Sequence, residues 1–201
     1  IDFAGIELDN YTVREMIMNV EKDMSDHGFH TIEEVNMDTL MLAETDELVR
    51  KAIGFAEHTV IAENGILEAV GAGSYQHRHE IEHHDFFFEL MKRVERNHPT
   101  VFVIGDTAEH VEETCAFLSE HFGKCEILGA EAFETCQGGT DAMVNEINAL
   151  TPDMILSVLP SPDQEHFLME NCEKLSAGLW YGIGSWDFTK RRQGLLGNIR
   201  N

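Results

Sequence analysis

Residues 154–165 join an apolar run of strand length, Met154-Ile155-Leu156-Ser157-Val158-Leu159, to a turn and helix start rich in hydrogen-bonding groups, Pro160-Ser161-Pro162-Asp163-Gln164-Glu165. The run suits a strand buried on both faces of a parallel sheet, and the prolines end it because neither donates a ladder hydrogen bond. With Ser161 as N-cap and Pro162 at the first helical position, free backbone N–H groups and the positive end of the helix dipole face outward from the sheet's carboxyl edge. Phosphate is the natural ligand there, with Ser161, Gln164 and Glu165 beside it.

Three further constellations carry polar chemistry. Ala62-Glu63-Asn64-Gly65-Ile66 directly follows a short β-prone run at residues 59–62, and Glu34-Val35-Asn36 ends another at residues 31–35. Near the chain end stands Gly182-Ile183-Gly184-Ser185-Trp186-Asp187-Phe188. The segment His77-Arg78-His79-Glu80-Ile81-Glu82-His83-His84-Asp85, if helical, pairs His79 with His83 and Glu80 with His84 at i, i+4, a spacing that metal ligands use. It lacks the His-Glu-x-x-His order and a nearby cysteine, so it reads as a solvated acidic-histidine segment, with metal binding as the alternative.

The Ser161-Pro162-Asp163-Gln164-Glu165 segment resembles the Gly-Ser-Pro-Lys-Gln-Glu motif of the WecG/TagA/CpsF glycosyltransferases, bacterial enzymes of surface-polymer synthesis. Gly5-Ile6-Glu7-Leu8-Asp9-Asn10-Tyr11-Thr12 is similar to that family's opening Gly-x-x-x-Asp-x-x-Thr, and the Gly182–Phe188 segment to its Gly-Val-Gly-Gly-x-Phe-Asp. Order and spacing agree over nearly all 201 residues. The resemblance implies inverting transfer of an N-acetylhexosamine, such as N-acetylmannosamine, from a UDP-sugar to a lipid-diphosphate-linked sugar, without metal or other cofactor. It places the base that deprotonates the acceptor at Asn64, where the family has an aspartate, and substrate contacts at Asn36, Gly65, Gly105, Ser161, Gln164, Glu165, Gly182, Gly184 and Asp187.

The departures cluster at this site. An amide has no useful basicity near neutral pH, so Asn64 can hold a hydroxyl but cannot take its proton. Glu63, one residue away, and Glu34, where the family has threonine, are the candidate replacement bases. The family's diphosphate-facing arginine aligns with Glu80, with Arg78 two residues away as a substitute, and the family lysine after Ser-Pro is Asp163. A weakened diphosphate site favours a second reading, a catalytically silent relative that binds a nucleotide or sugar or serves as a partner subunit.

Composition bounds these readings. The formal charge of −23, from 37 acidic and 14 basic side chains, repels nucleic acid and anionic lipid. The apolar runs are far shorter than the roughly 20 residues a bilayer-spanning helix needs. Cys115, Cys125, Cys136 and Cys172 stand apart with no Cys-x-x-Cys pair, as expected of reduced packing residues in a cytoplasmic protein. The one basic cluster, Lys190-Arg191-Arg192, lies where the family carries basic residues before a membrane-reaching extension. The expected location is therefore cytoplasmic, peripheral to the inner membrane face only where such an extension is present. Oligomeric state is left open, a homo-oligomer included.

The expected fold is α/β: one domain with a Rossmann-like parallel sheet flanked by helices, its N-terminal half less regular. Residues 100–104, 126–130, 154–159 and 178–183 read as strands alternating with helices at 108–122, around Met143, Val144 and Ile147, and around Phe167, Leu168 and Leu175. In residues 1–98, Thr12 and Glu15 form a capping box for a helix with Val13, Met16, Ile17, Val20 and Met24 on one stripe. A helical stretch around residues 40–53 and a helix at 85–96 follow. This half is assigned to the acceptor and catalysis, and residues 99–201 to the nucleotide-sugar.

Overall fold

The computed structural model describes residues 1–185. A short antiparallel hairpin opens the chain, β1 (Asp2–Phe3) and β2 (Ile6–Glu7), and leads into helix α1 (Val13–Asp23). The Glu15 carboxylate accepts hydrogen bonds from the Thr12 N–H (2.9 Å) and hydroxyl (2.8 Å), so the expected capping interaction starts this helix. Strand β3 (His30–Val35) follows, then α2 (Met37–Leu42) and α3 (Glu47–Phe55), and strand β4 (His58–Ile61). The continuous helical stretch expected around residues 40–53 is two helices, because Asp46 stops one and caps the next by accepting from the Leu48 and Val49 N–H groups.

Three helices then cross to the other half of the sheet: α4 (Asn64–Ala69), α5 (Tyr75–Glu82) and α6 (Asp85–Val94). The remainder alternates strictly: β5 (Thr100–Gly105), α7 (Ala108–His121), β6 (Glu126–Ala132), α8 (Gly139–Leu150), β7 (Met154–Ser157), α9 (Asp163–Asn171) and β8 (Leu179–Gly182). Six strands form one parallel sheet in the order β4-β3-β8-β7-β5-β6, with helices on both faces, so every strand points its carboxyl end to the same edge.

Strand alternation sorts the core. Ile32, Val101, Val103, Leu156, Leu179 and Tyr181 pack against α1, α6 and α7 on one face. Phe102, Ile104, Ile155 and Trp180 pack against α8 and α9 on the other, and Val35 and Ile61 pack against α2, α3 and α4. Phe87 is fully buried at the centre of the first cluster, 5.9 Å from the Phe122 ring and 6.1 Å from that of Tyr181. The four cysteines are free; Cys125 belongs to this core, and burial pushes its thiol up to about 11. Phe87→Ala is expected to lower the unfolding free energy by about 3–5 kcal/mol, measured by denaturant titration, because the deleted ring leaves a cavity among residues that cannot collapse into it.

Candidate functional site at the carboxyl edge of the sheet

Two neighbouring carboxylates on β3 divide the edge into two environments. Consecutive strand residues point to opposite faces, so Glu33 enters the α9 side and Glu34 the α1 and α6 side. Glu33 is 2% exposed; its Oε1 accepts from the Trp180 indole N–H at 2.6 Å and its Oε2 from the Gln164 amide at 2.7 Å. Burial, the nearby Glu165 and Glu34 raise the Glu33 carboxyl well above its usual range, against the lowering pull of those two donors. The other end of the Gln164 amide accepts the Gly184 N–H at 3.1 Å, so this buried side chain joins β3, α9 and the segment after β8.

Gly182 lies between Glu33 and Ser157 in the register. A Cβ there would collide with Glu33 Oε2 and meet Gln164 Nε2 at 2.6 Å, so its missing side chain is what lets the carboxylate and amide meet. Its role is clearance beneath this pair. Gly105 similarly lets Val111 and Val158 close over the end of β5, since a Cβ there would lie 2.7 and 3.0 Å from their methyl groups.

A second chain of polar groups spans the ends of β3 and β7. Asn36 caps α2, its Oδ1 accepting from the Thr39 N–H (2.8 Å) and hydroxyl (3.0 Å). The Thr39 hydroxyl lies 2.9 Å from that of Ser161, which lies 2.6 Å from Glu165 Oε1. Ser161 is therefore not the N-cap of α9: Pro162 holds that position, because the serine hydroxyl is committed to Glu165 and Thr39. Nor are the N–H groups of this turn as open as expected, since those of Gln164 and His166 reach the Pro160 and Pro162 carbonyls.

Three oxygen–oxygen contacts in this chain share two hydroxyl protons. A proton on Glu165 completes the set, running from Glu165 through Ser161 and Thr39 to Asn36. Burial raises the Glu165 carboxyl in the direction this requires, against the lowering pull of Ser161, and among the described residues its Oε2 is sealed from solvent without a partner.

The remaining expected residues spread around the edge. Glu63 is exposed and accepts the Met37 N–H at 3.3 Å, capping α2 in company with Asn36. A Cβ on Gly65 would lie 3.7 Å from the Met37 methyl, an ordinary contact, so this glycine is not required for clearance. Asn64 Nδ2 donates to the Arg78 carbonyl at 3.0 Å. Arg78 itself reaches the Ala72 carbonyl at 3.1 Å and lies 3.9 Å from Glu68, directed to α4 and the loop after it. Glu80 accepts the Val13 N–H at 2.9 Å, so the carboxylate aligned with the family arginine caps α1. Asp187 and Lys190-Arg191-Arg192 lie outside the described residues.

The histidine-rich segment is not uniformly solvated. Helix α5 ends at Glu82, and His84 turns to φ 51°, so Glu80 and His84 do not stand at i, i+4 on one helix. The rings of His79 and His83 stack at 4.1 Å, while His77 is buried. Among the described residues no group of three or more His, Cys, Asp or Glu is placed to hold a metal ion, and no helix is long and apolar enough to cross a membrane.

Sequence patterning singled out neither Glu33 nor Thr39 for the carboxyl-edge network, nor His77 as a buried residue. Thr39 was detectable three residues beyond the capping Asn36. The partners of Glu33 lie 131 and 147 residues away, and nothing local marks them.

Open parallel α/β sheets bind their ligands outside the carboxyl ends of the strands, where the polar groups of this chain converge. The glycosyl transferase WecG/TagA/CpsF family model matches residues 1–188, and the chain belongs to this family. The chain is 23% identical over 186 residues to the N-acetylglucosaminyldiphosphoundecaprenol N-acetyl-beta-D-mannosaminyltransferase of Staphylococcus aureus strain NCTC 8325, covering 92% of this chain and 72% of that protein. The enzyme of the same name from strain MRSA252 is 22% identical over the same span.

The network yields two expectations. Gln164→Ala leaves Glu33 Oε2 and the Gly184 N–H without their partner and should cost about 1–3 kcal/mol of stability by thermal or denaturant unfolding. For Glu165, a folded-state carboxyl raised above its unfolded value of 4.5 binds its proton more tightly when folded. The associated stability is present below the unfolded value and is lost as pH rises through the folded one. Glu165→Gln, which keeps a donor toward Ser161, should therefore gain stability relative to wild type as pH is raised from about 4 to about 8; a difference independent of pH would show that Glu165 is not held protonated.

Proposed function

We propose that this protein transfers an N-acetylhexosamine, such as N-acetylmannosamine, with inversion, from a UDP-sugar to a lipid-diphosphate-linked sugar in bacterial surface-polymer synthesis. The observation that carries this reading is the placement of the family's polar motif residues, Asn36, Ser161, Gln164 and Gly184, along one carboxyl edge of a sheet, within a family match that spans residues 1–188. The donor's proposed seat is the crevice between β5 and β7. There the chain leaves β5 outward to β6 and leaves β7 in the opposite direction to β8, the topological switch point at which such sheets bind nucleotides. Gly105 and the Pro160-Ser161 turn flank that crevice. The acceptor side is assigned to the ends of β3 and β4. In this reading residues 1–98 present the acceptor, residues 99–201 hold the donor, and the protein meets the membrane peripherally through its lipid-linked substrate.

The silent-relative reading has specific support. The Asn64 amide donates to a backbone carbonyl, Glu80 caps α1 where a cation would meet diphosphate, and Glu134 accepts the Ala108 N–H at 2.8 Å, placing an anion at the N-terminus of α7 beside the donor crevice. These carboxylates lower the affinity for a diphosphate without closing the crevice.

Calorimetric titration with UDP and UDP-N-acetylhexosamines, followed by transfer assays on a lipid-diphosphate-linked N-acetylglucosamine acceptor, separates the readings. Saturable donor binding with turnover is the expected result. Binding without turnover supports the silent relative, and neither heat nor a melting shift at saturating UDP and UDP-sugar sinks both the transferase and the nucleotide-binding relative, leaving the partner subunit. Because Asn64 faces the Arg78 carbonyl, Asn64→Asp would set a carboxylate against a carbonyl oxygen; turnover is expected to stay flat or fall, and a rise of about 10²-fold or more would instead assign the base to this position.

A further inference from the structure

A small pocket opens where β3 and β4 end on the α1 and α6 face, separate from the Glu33 network. Its volume is about 30 Å³, enough for a hydroxyl-sized group and too small for a sugar ring. Asp9, Tyr11, Glu34, Ala62, His77 and Glu80 line it. Ala62 places it immediately before the Glu63-Asn64-Gly65 turn.

The His77 ring lies in this pocket open to accept a proton. It is only 8% exposed, yet among the described residues its ring makes no hydrogen bond, and neither ring nitrogen is fully sealed from solvent. The Ser74 hydroxyl accepts the His77 backbone N–H at 3.1 Å and fixes the residue in the first turn of α5. Glu34 is placed differently: its Oε1 accepts the Tyr181 hydroxyl at 2.5 Å, which anchors the carboxylate at the pocket floor. Glu80 is held by Val13 and by Gln76. Asn64 has no basicity, and Glu63 caps α2.

We propose that His77 is the general base of the transfer, taking the proton of the acceptor hydroxyl in the pocket it shares with Glu34. This rests on the transferase reading above. The acceptor O–H bond breaks, its proton passing to a ring nitrogen of His77. The oxygen bonds to the donor's anomeric carbon as the bond from that carbon to the UDP β-phosphate oxygen breaks, its electron pair leaving with UDP. The imidazolium then returns its proton to solvent.

Burial holds the imidazole below its usual 6.5, outweighing the opposite pull of Glu80 and of Glu15 on α1. Glu34 from β3, Asp9 and Tyr11 from the segment before α1, and His84 before α6 also border the pocket. The ring is thus neutral and able to accept a proton at neutral pH, and it loses that capacity as pH falls through its lowered value.

The test is the pH dependence of kcat on the full chain at saturating UDP-sugar and acceptor, beside NMR titration of the His77 ring. The acidic limb is expected to have its midpoint below 6.5 and to coincide with the ring titration. His77→Gln should lower kcat by about 10²–10⁴-fold, abolish that limb and leave UDP affinity unchanged. Added imidazole should restore part of the rate in His77→Ala. If the variants do not fold, coincidence of the wild-type limb with the ring titration decides the matter. A His77→Gln enzyme with wild-type rate and limb overturns the proposal while leaving the transferase reading intact, and so does a limb that does not follow the ring. Wild-type protein that binds the UDP-sugar and transfers nothing overturns both.

Discussion

The buried Glu33 carboxyl group is the constraint on which the carboxyl edge depends. A carboxyl group removed from water is stable only if its oxygens are satisfied, and here the Trp180 indole and the Gln164 amide supply two donors. Meeting that demand fixes β8 against β3, the first turn of α9 against both, and the Gly184 backbone through the far end of the same amide. Gly182 has no room for a side chain because the carboxylate and amide meet over it. The family motif residues Gln164, Gly182 and Gly184 thus form one hydrogen-bonded structure.

The acidic composition has a structural use that its net charge conceals. Glu15, Asp46, Glu63, Glu80 and Glu134 each accept backbone N–H groups at or beside the start of a helix, where the unsatisfied donors and the positive end of the dipole stabilise an anion. The same contacts occupy donors that a phosphate could otherwise use. With an acidic cap at the start of α7 and the Arg78 guanidinium directed to the Ala72 carbonyl, this edge leaves fewer open donors for an anion than the motif alone implies. The ends of β3 and β4 have a different character, with His77 and Glu34 lining one small pocket on the α1 and α6 face.

The order of elements was legible in the sequence because it is a local property. Apolar runs at residues 100–104 and 154–159, helical spacing through Val111, Cys115, Leu118 and Phe122, and the Thr12–Glu15 cap depend on neighbours a few residues away. The structure reproduces them with boundaries shifted by one or two residues. The motif at residues 161–165 was legible as a family signature for the same reason, and it lies within the residues that the family model matches.

What each side chain does there was decided by tertiary structure. Ser161 satisfied every local rule for an N-cap, but its hydroxyl is taken by Glu165 and by Thr39, which is 122 residues away in sequence. The histidine-rich segment read as uniformly polar, yet one turn of α5 rotates His77 into the pocket while His79 and His83 stack outside the core. Adjacent Glu33 and Glu34 look alike in sequence and are separated by the pleat, Glu33 to a partner of Gln164 and Glu34 to the pocket on the opposite face, where it holds the Tyr181 hydroxyl. Sequence by itself determined which groups are available within a few residues; only the assembled sheet decided which of them are desolvated together, and desolvation sets both their hydrogen bonds and their basicity.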